Sequence, residues 1–291
     1  MKLQWPVVLV QVAFVPGLMA QAHDHQAMSG PLSPKAAAQV AEARQVASAF
    51  DTPAKAAAAG YVARFGDVPL QGEHWIKRDL VLNATFDLAH PPVLMFSRMN
   101  GMAKLVGVAY AYQVTQAAPT PEGFDGDADE WHEHPLLSLP GRRLTMTHVW
   151  FVDSPNGVFA HDNPTLPFLS RGLPLPPTGW LDPQAFTSLA RSLGLAEAPA
   201  GPRMRLEQLA GDSVHRALEV HRGTIAAEVA VLDRAVRAND VAAYRAAATR
   251  AIAAGAGILA TWRAAPKNPL MQQLMGKAMQ ELLGGEISVA P

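Results

Sequence analysis

The sequence predicts an α+β fold in which a mostly antiparallel β-sheet core follows an N-terminal Ala-rich helix and precedes a C-terminal helical hairpin or bundle. Three observations predict this class. The middle of the chain contains short β-branched and aromatic runs bounded by Gly, Pro or Asn, which is typical of strands. An Ala-rich segment with apolar residues every three or four positions precedes these runs, and long segments with helical spacing follow them.

The composition narrows the range of functions. The 291 residues are 49% hydrophobic and 17% charged, which favours a folded core over disorder. Lys and Arg (24) balance Asp and Glu (25), so we expect no nucleic acid or anionic membrane as a partner. The chain has no cysteine, which excludes disulfides, thiolate metal sites and cysteine catalysis. Histidine, with ten residues, is therefore the informative type for chemistry.

Residues 1–22 have the pattern of a signal peptide for export. Lys2 supplies a positive start, residues 7–15 are apolar except for Gln11, and residues 20–22 (Ala-Gln-Ala) match a cleavage site. The apolar stretch is short for a membrane span, although an uncleaved anchor is the alternative. The pattern predicts a periplasmic or secreted protein with no membrane span in the mature chain.

Two histidines near the predicted cleavage site form a candidate metal site of their own. Cleavage after Ala22 would put His25 third in the mature chain, and cleavage after Ala20 would put His23 there. A free amine, two deprotonated amides and this imidazole suit the square geometry that Cu(II) and Ni(II) adopt. The alternative is a solvated tail, because chain termini are usually loosely held.

Residues 23–60 are predicted to contain a linker and two helices. Ser33 followed by Pro34 is a typical helix start, and residues 35–50 continue this first helix. After a break, residues 54–59 are expected to form a second, short helix.

Residues 61–183 are predicted to form a β-rich domain. The predicted strands cover residues 73–76, 93–96, 104–114 and 144–152. Asn100-Gly101 between two of them is a hairpin signal, so we expect an antiparallel meander. Residues 120–130 are acidic and contain Gly, and residues 156–183 are crowded with Pro and Gly, so both segments are expected to be irregular.

Residues 184–291 are predicted to be helical. The predicted helices run from Pro183 towards Gly194, over residues 212–237, over residues 241–262, and from Pro269 to Gly284. The short connection between the second and third predicts an antiparallel hairpin. Met271, Met275 and Met279 form a stripe on the last helix that favours an adaptable core over a copper ladder. The small residues of these helices also suit subunit packing, which leaves a homo-oligomer open.

Residues 131–134 (Trp-His-Glu-His) are the clearest signal for chemistry. On a strand, His132 and His134 would point the same way from backbone positions about 6–7 Å apart, so both could reach one ion. His74 and His148 lie on predicted strands with otherwise apolar faces, where an imidazole needs a partner. These four histidines predict a shared site for a transition metal, copper or zinc. The alternative is four separate, satisfied histidines.

Carboxylates complete many histidine metal sites. Glu73, Asp129 and Glu133 are the nearby candidates, although on strands Glu73 and Glu133 would face away from the neighbouring histidines. An acidic run at residues 125–129 resembles a calcium loop but has Leu136 where the bidentate Glu should stand.

The other histidines and motifs carry weaker signals. His215 and His221 should point to different faces of one helix, and His90 precedes two prolines in a loop. His161 lies in a turn-like His-Asp-Asn-Pro segment, where a turn is favoured over a ligand role. The sequence has no nucleophile elbow, P-loop or Rossmann fingerprint, and the Gly-Ala-Gly at residues 255–257 predicts close helix packing.

The motifs of the middle region also occur together in a known layout. They are Gly-Glu-His-Trp (72–75), Pro-Pro-Val-Leu-Met-Phe (91–96), Leu-Val-Gly-Val-Ala-Tyr (105–110), Trp-His-Glu-His (131–134), His-Val-Trp (148–150), Pro-Asn-Gly-Val-Phe-Ala (155–160) and Asn-Pro (163–164). In this layout the chain resembles an uncharacterised family of exported bacterial proteins. The resemblance implies a compact β-rich domain in which the histidines come together, and it implies no activity.

Three functions fit these observations. The first is an exported protein that senses, stores or handles copper or zinc through the four strand histidines. The second is an enzyme in which the same histidines hold a catalytic ion with an open coordination position. The third is a small-molecule or protein-binding module without metal, with Trp75, Trp131, Trp150 and Phe151 as the wall of its cleft.

Overall fold

The structure is a computed structural model that describes residues 32–99, 101–197, 201–265 and 269. Several sequence predictions lie outside these residues: the signal peptide, the terminal histidines His23 and His25, and the methionine stripe of Met271, Met275 and Met279.

Six strands and eight α-helices form within the described residues. The strands are β1 (Val62–Val68), β2 (Gly72–Ile76), β3 (Val93–Met99), β4 (Met102–Thr115), β5 (His132–Glu133) and β6 (Arg142–Trp150). The helices are α1 (Pro34–Ala47), α2 (Pro53–Ala58), α3 (Arg78–Asn83), α4 (Leu166–Ser170), α5 (Pro183–Leu195), α6 (Gly201–Ala210), α7 (Asp212–Arg237) and α8 (Val241–Ala264). The predicted α+β class is confirmed.

The strands form one sheet in the order β1-β2-β3-β4-β6-β5, and all neighbouring pairs are antiparallel. The first four strands follow one another along the chain, as the predicted meander requires. Met99 pairs with Met102 at the end of β3 and β4, which confirms the predicted hairpin. β5 leaves the meander and lies outside β6, at the edge of the sheet.

Four elements are not predicted from the sequence: β1, α3, α4 and α6. In β1, Arg64, Gly66 and Asp67 interrupt the apolar residues, and the pairing with β2 slips between Arg64 and Asp67. α3 and α4 are only six and five residues long, too short to show a helical period in the sequence. Val81 of α3 and Leu166 of α4 are buried in the sheet core, so tertiary packing holds these short helices.

The sheet buries two different faces. On the first, the aromatic face, Leu94, Phe96, Tyr110 and Tyr112 belong to a core that α1 and α2 complete. The second is called the histidine face, because His74 and His148 alternate onto it. Its other central side chains are Val93, Met95, Ala109, Ala111, Leu144, Met146 and Trp150.

Gly107 allows β3, β4 and β6 to approach closely. A Cβ at this position would lie 2.6 Å from Met95 Cε and 2.6 Å from the Val149 carbonyl oxygen, so a larger residue does not fit. Beside Gly107, the pairing of β3 with β4 slips between Met95 and Phe96. A bulge of this kind bends the strand and increases its twist.

A helical core adjoins the sheet. α7 and α8 pack against each other across residues 238–240, which confirms the predicted hairpin. α5 packs on α8 where Gly255 meets Ser192, and Gly257 lies under the ring of His221, so both glycines have the predicted packing role. Within the described residues, no helix combines the length and the apolar composition needed to cross a bilayer.

We expect Gly255→Ala to destabilise the protein by about 1–3 kcal/mol, because overpacking a helix contact forces backbone shifts. A Cβ at Gly255 would lie 2.6 Å from Ser192 Cβ and 3.0 Å from Ser192 Cα. The matched control is Gly223→Ala in α7, where nothing lies within 4 Å of the new Cβ. That variant should gain about 0.5–1 kcal/mol from helix propensity. Urea unfolding of both variants measures the difference, and equal effects would refute the packing role.

Candidate metal centre

Five histidine rings come together on the histidine face and are called the histidine cluster. The ring centroids of His74 (β2) and His148 (β6) are 5.8 Å apart. The ring of His132 lies 5.1 Å from that of His148 and 4.8 Å from that of His134. The ring of His161 lies 4.4 Å from that of His132 and 5.6 Å from that of His148. The four histidines selected from the sequence therefore meet, and His161 joins them.

The sheet has to curve for the ring of His74 to reach the ring of His148. β3 and β4 lie between their strands, and three spacings of about 4.8 Å would separate β2 from β6 by roughly 14 Å in a flat sheet. The rings are much closer, so they lean together over a sheet that curves towards this face. Ala109 and Ala111 of β4 leave room above the middle strands, because their side chains end at Cβ.

Backbone pairing with β6 orients His132 and His134. His132 pairs with Met146, which places its side chain on the histidine face. The His134 N–H donates to the Leu144 carbonyl at 2.9 Å and extends the pairing beyond β5. Ser138 Oγ donates to the His134 carbonyl and accepts from the Leu144 N–H, each at 2.9 Å. This anchoring holds both rings of the His-x-His motif on one side.

The loop after β6 folds back along that strand and places His161 in the histidine cluster. Trp150 Nε1 donates to the Ala160 carbonyl at 2.7 Å. His148 Nδ1 donates to the His161 carbonyl at 2.8 Å. These bonds tie the loop to the strand that carries His148, and they turn the His161 ring towards His132.

His161 is not predicted from the sequence to be a member of the cluster. The turn that the sequence predicts is present, since Asn163 Oδ1 accepts from the Thr165 N–H at 3.0 Å. The ring position depends on the fold-back of the whole loop onto β6, which no local spacing encodes. The adjacent Asp162 is the one usable signal, because a carboxylate often orients a metal-binding imidazole.

Three of the rings offer nitrogens close enough for one ion. A ring nitrogen from each of His132, His134 and His161 lies within 4.8 Å of the other two, and all three residues are half-buried. Nitrogens bonded at about 2.0–2.1 Å to a tetrahedral zinc lie roughly 3.3 Å from one another, which is inside this limit. The set therefore has the residue types and the proximity of a three-histidine site.

Hydrogen bonds fix the tautomers of the two buried rings. His148 Nδ1 donates to the His161 carbonyl, and His74 Nδ1 donates to the Gly72 carbonyl at 3.3 Å. In each neutral ring the lone pair is therefore on Nε2. His148 is 0% exposed, and its Nε2 has no hydrogen-bond partner among the described residues. His134 Nε2 is also buried without such a partner.

A carboxylate network orients His161. Asp162 Oδ1 lies 3.0 Å from His161 Nδ1 and accepts from Gln71 Nε2 at 3.0 Å. Arg191 of α5 lies 3.5 Å from Asp162 Oδ2. Burial raises the pKa of Asp162, but the hydrogen bonds from His161 and Gln71 and the charge of Arg191 outweigh it and hold the pKa below its usual value. An ionised Asp162 favours a proton on His161 Nδ1, so the lone pair is on Nε2, which lies 3.3 Å from Gln71 Nε2 and would turn from it to a metal.

The carboxylates considered from the sequence have other partners. Glu73 accepts from Trp75 Nε1, and Asp129 accepts from Trp131 Nε1, each at 2.9 Å. Glu133 is exposed and pairs with Arg143 at 2.7 Å. The structure brings none of these three into the set of clustered ligand atoms, so the donors of the described cluster are imidazoles.

Burial keeps three rings of the cluster, those of His74, His134 and His148, neutral near pH 7. Burial lowers the pKa of His74 to about 4, the hydrogen bond to Gly72 partly offsets this, and the charge of His161 lowers it further. Burial and the nearby charges of His161 and His74 lower the pKa of His134 to about 4. Burial and the neighbouring imidazoles also hold the pKa of His148 well below its usual value. Neutral rings are the form that binds a metal.

A cavity of about 240 Å³ adjoins the cluster. Its wall contains Val68, Gln71, His74, Ile76, Val81, Val93, Ala111, His134, Leu137, Leu144 and Met146. The four aromatics proposed as a cleft wall from the sequence lie elsewhere. Trp75, Trp131 and Phe151 pack in the core of the aromatic face, and Trp150 packs against His148 at 5.6 Å.

A second group of possible ligands lies on the helices. Glu207, His215 and Glu219 have ligand atoms within 4.8 Å of one another. The buried guanidinium of Arg222 hydrogen bonds to Glu207 and to Glu219. This positive charge already neutralises the carboxylates and would repel a metal ion, so the group is an ion-pair network.

Comparison with known proteins gives no match: no protein-family model, no curated protein and no solved structure matches the chain. The resemblance described from the sequence motifs therefore stays a prediction, and the histidine cluster is the feature from which a function can be inferred.

We expect the metal-free protein to lose stability as the pH falls from 7 to 5. His74 and His134 have folded-state pKa values of about 4, below the ordinary 6.5, so the unfolded chain binds more protons in this range. Linkage then predicts that each neutral ring contributes stability that is present above pH 6.5 and is lost as the pH falls towards 4. About 2 kcal/mol of the free energy of unfolding is lost for each ring between pH 7 and pH 5. Urea unfolding at several pH values, compared with a His74→Gln/His134→Gln variant, measures it. The variant should show a flatter profile, and parallel profiles would contradict the prediction.

Proposed function

We propose that the chain is an exported metal-binding protein that holds zinc or copper at the histidine cluster. The observation that carries the proposal is the proximity of ring nitrogens from His132, His134 and His161, within 4.8 Å of one another. His148 packs against two of these rings and has a buried Nε2 that lacks a hydrogen-bond partner among the described residues. A buried nitrogen lone pair without a donor is costly unless something binds it.

The donor type supports zinc or copper. Imidazole nitrogen suits both ions, whereas magnesium and calcium prefer oxygen ligands. The surroundings support the same assignment, because carbonyl and carboxylate acceptors hold the outer nitrogens of His74, His148 and His161. Partners of this kind set the ring orientation in metal sites. Handling, storage or sensing of the ion would each use such a site.

One observation favours a metal-dependent enzyme as the second candidate. His74 and His134 belong to the wall of the cavity, so a metal bound at the cluster would lie next to a space that can hold a ligand. An ion with three protein ligands and an open position can bind water or a substrate there. Three ligands plus an exchangeable fourth would favour the enzyme, and a closed set of four would favour storage or structure.

We expect protein purified from the periplasm to carry zinc or copper and the His132→Ala/His134→Ala variant to have lost it. The matched control is His90→Ala, since His90 is exposed and pairs with Asp87 in a loop. Elemental analysis of all three proteins is the measurement, with circular dichroism to check folding. Equal metal content in the double variant and the wild type would refute the proposal.

A graded arm of the same experiment uses Asp162→Asn. This change keeps the size of the side chain but removes the negative charge next to His161 Nδ1. Loss of such an orienting carboxylate typically weakens metal affinity about 10–100-fold. Competition titration with a chromogenic chelator measures the change, and an unaltered affinity would remove His161 from the ligand set.

Export is part of the proposal because residues 1–22 have the composition of a signal peptide. We expect the periplasmic protein to begin at His23 or, after the earlier cleavage, at Gln21. Intact mass and N-terminal sequencing determine the start, and Ala20→Arg/Ala22→Arg should block processing. A full-length chain confined to the cytoplasm would contradict export and leave the metal proposal standing.

A further inference from the structure

The cavity beside the histidine cluster has one polar end and a long apolar wall. Gln71, His74 and His134 are its polar lining residues. The other eight are Val68, Ile76, Val81, Val93, Ala111, Leu137, Leu144 and Met146. None of these eleven described lining residues is charged. A space of this kind accepts an apolar group and offers no counter-charge to an ionic one.

The elements of the fold explain why the space is there. Ala111 of β4 has a short side chain, which leaves space above the sheet at this point. Met146 and Leu144 of β6 lie on the same face. Val81 brings α3 over this face. The cavity is therefore lined mainly by residues of packed strands and of α3 and not by a surface loop alone, so its shape is preformed.

The polar end coincides with the ring nitrogens of the cluster. His134 supplies one atom of the three-histidine set and also lines the cavity. Its Nε2 is buried without a hydrogen-bond partner among the described residues. Gln71 lines the cavity too, and it donates to Asp162, which orients His161. A ligand that enters the cavity thus meets the metal-binding groups with one end only.

We propose that the cavity binds a small, mostly apolar molecule with one metal-ligating head, such as a short acyl or aryl carboxylate, with the head at the histidine cluster and the tail against the Val81–Leu144 side. This inference rests on the proposed function, because the head needs a bound ion. It adds the chemical class of the ligand: one polar end, no second charge, and a tail of limited length.

The volume limits the size of the tail. A dry cavity of about 150 Å³ is large enough to hold benzene. The cavity here measures about 240 Å³, so it has room for one aromatic ring with a short substituent or a short acyl chain. A long-chain lipid or a nucleotide does not fit inside it.

Acetohydroxamate and benzohydroxamate test the proposal, because they share a metal-chelating head and differ in the apolar tail. Calorimetric titration of the zinc-loaded full chain should give at least a tenfold tighter Kd for benzohydroxamate. In a series of straight-chain acyl hydroxamates, affinity should increase with chain length until the cavity is full and then decrease. The chain-length series uses the wild type alone, so it does not depend on the folding of any variant.

Two substitutions on β4 locate the tail. Ala111→Phe places a ring in the cavity. It should make the Kd values of benzohydroxamate and acetohydroxamate about equal, with the zinc content unchanged. The matched control is Met102→Phe, because Met102 is 58% exposed at the hairpin and is not a lining residue. This control should keep the full preference.

The outcomes separate the two proposals. If the wild type binds no zinc or copper, the proposed function fails and the ligand inference fails with it. If it binds zinc but gives equal affinities for the two hydroxamates, or binds neither, the inference is overturned and the metal site stands. If a folded, zinc-loaded Ala111→Phe variant keeps the preference, the tail lies outside the cavity and the inference is again overturned.

Discussion

A buried imidazole must keep both ring nitrogens satisfied, and this constraint connects most of the β-rich part of the molecule. His148 is 0% exposed, and only its Nδ1 has a hydrogen-bond partner among the described residues. The curvature of the sheet, the alanines of β4 and the fold-back after β6 all bring further polar rings onto that apolar face. Without a ligand, each unsatisfied nitrogen costs about 1–3 kcal/mol. A core selected for stability alone would have aliphatic side chains in these places.

The helical core also contributes to the site through one helix. α5 packs on α8 through the contact between Ser192 and Gly255. The preceding residue, Arg191, reaches Asp162, which orients the His161 ring. The position of α5 therefore affects the charge next to the histidine cluster, although the five rings of that cluster lie on strands and loops and not on a helix.

The sequence predicts those parts of the fold that local patterns encode. Ser33 caps α1 as its Ser-Pro start predicts, Asp182 caps α5 directly before the predicted start at Pro183, and the predicted hairpin pairs Met99 of β3 with Met102 of β4. β1 is not predicted because its polar residues interrupt the alternation of apolar and polar residues that is typical of a strand. It forms by pairing with β2. The same distinction holds for the site. The His-x-His motif marks two rings, whereas His161 arrives through a long-range fold-back that depends on hydrogen bonds to other parts of the chain.

The shortness of β5 has a further consequence. Two of the three clustered ligands, His132 and His134, lie on or next to a two-residue edge strand, and the third is in the loop after β6. An ion shared by these segments would act as a cross-link that closes a loop of roughly 30 residues, the entropic role that a disulfide has in many exported proteins. In a chain without cysteine, loading the ion would then be the step that fastens the periphery of the sheet.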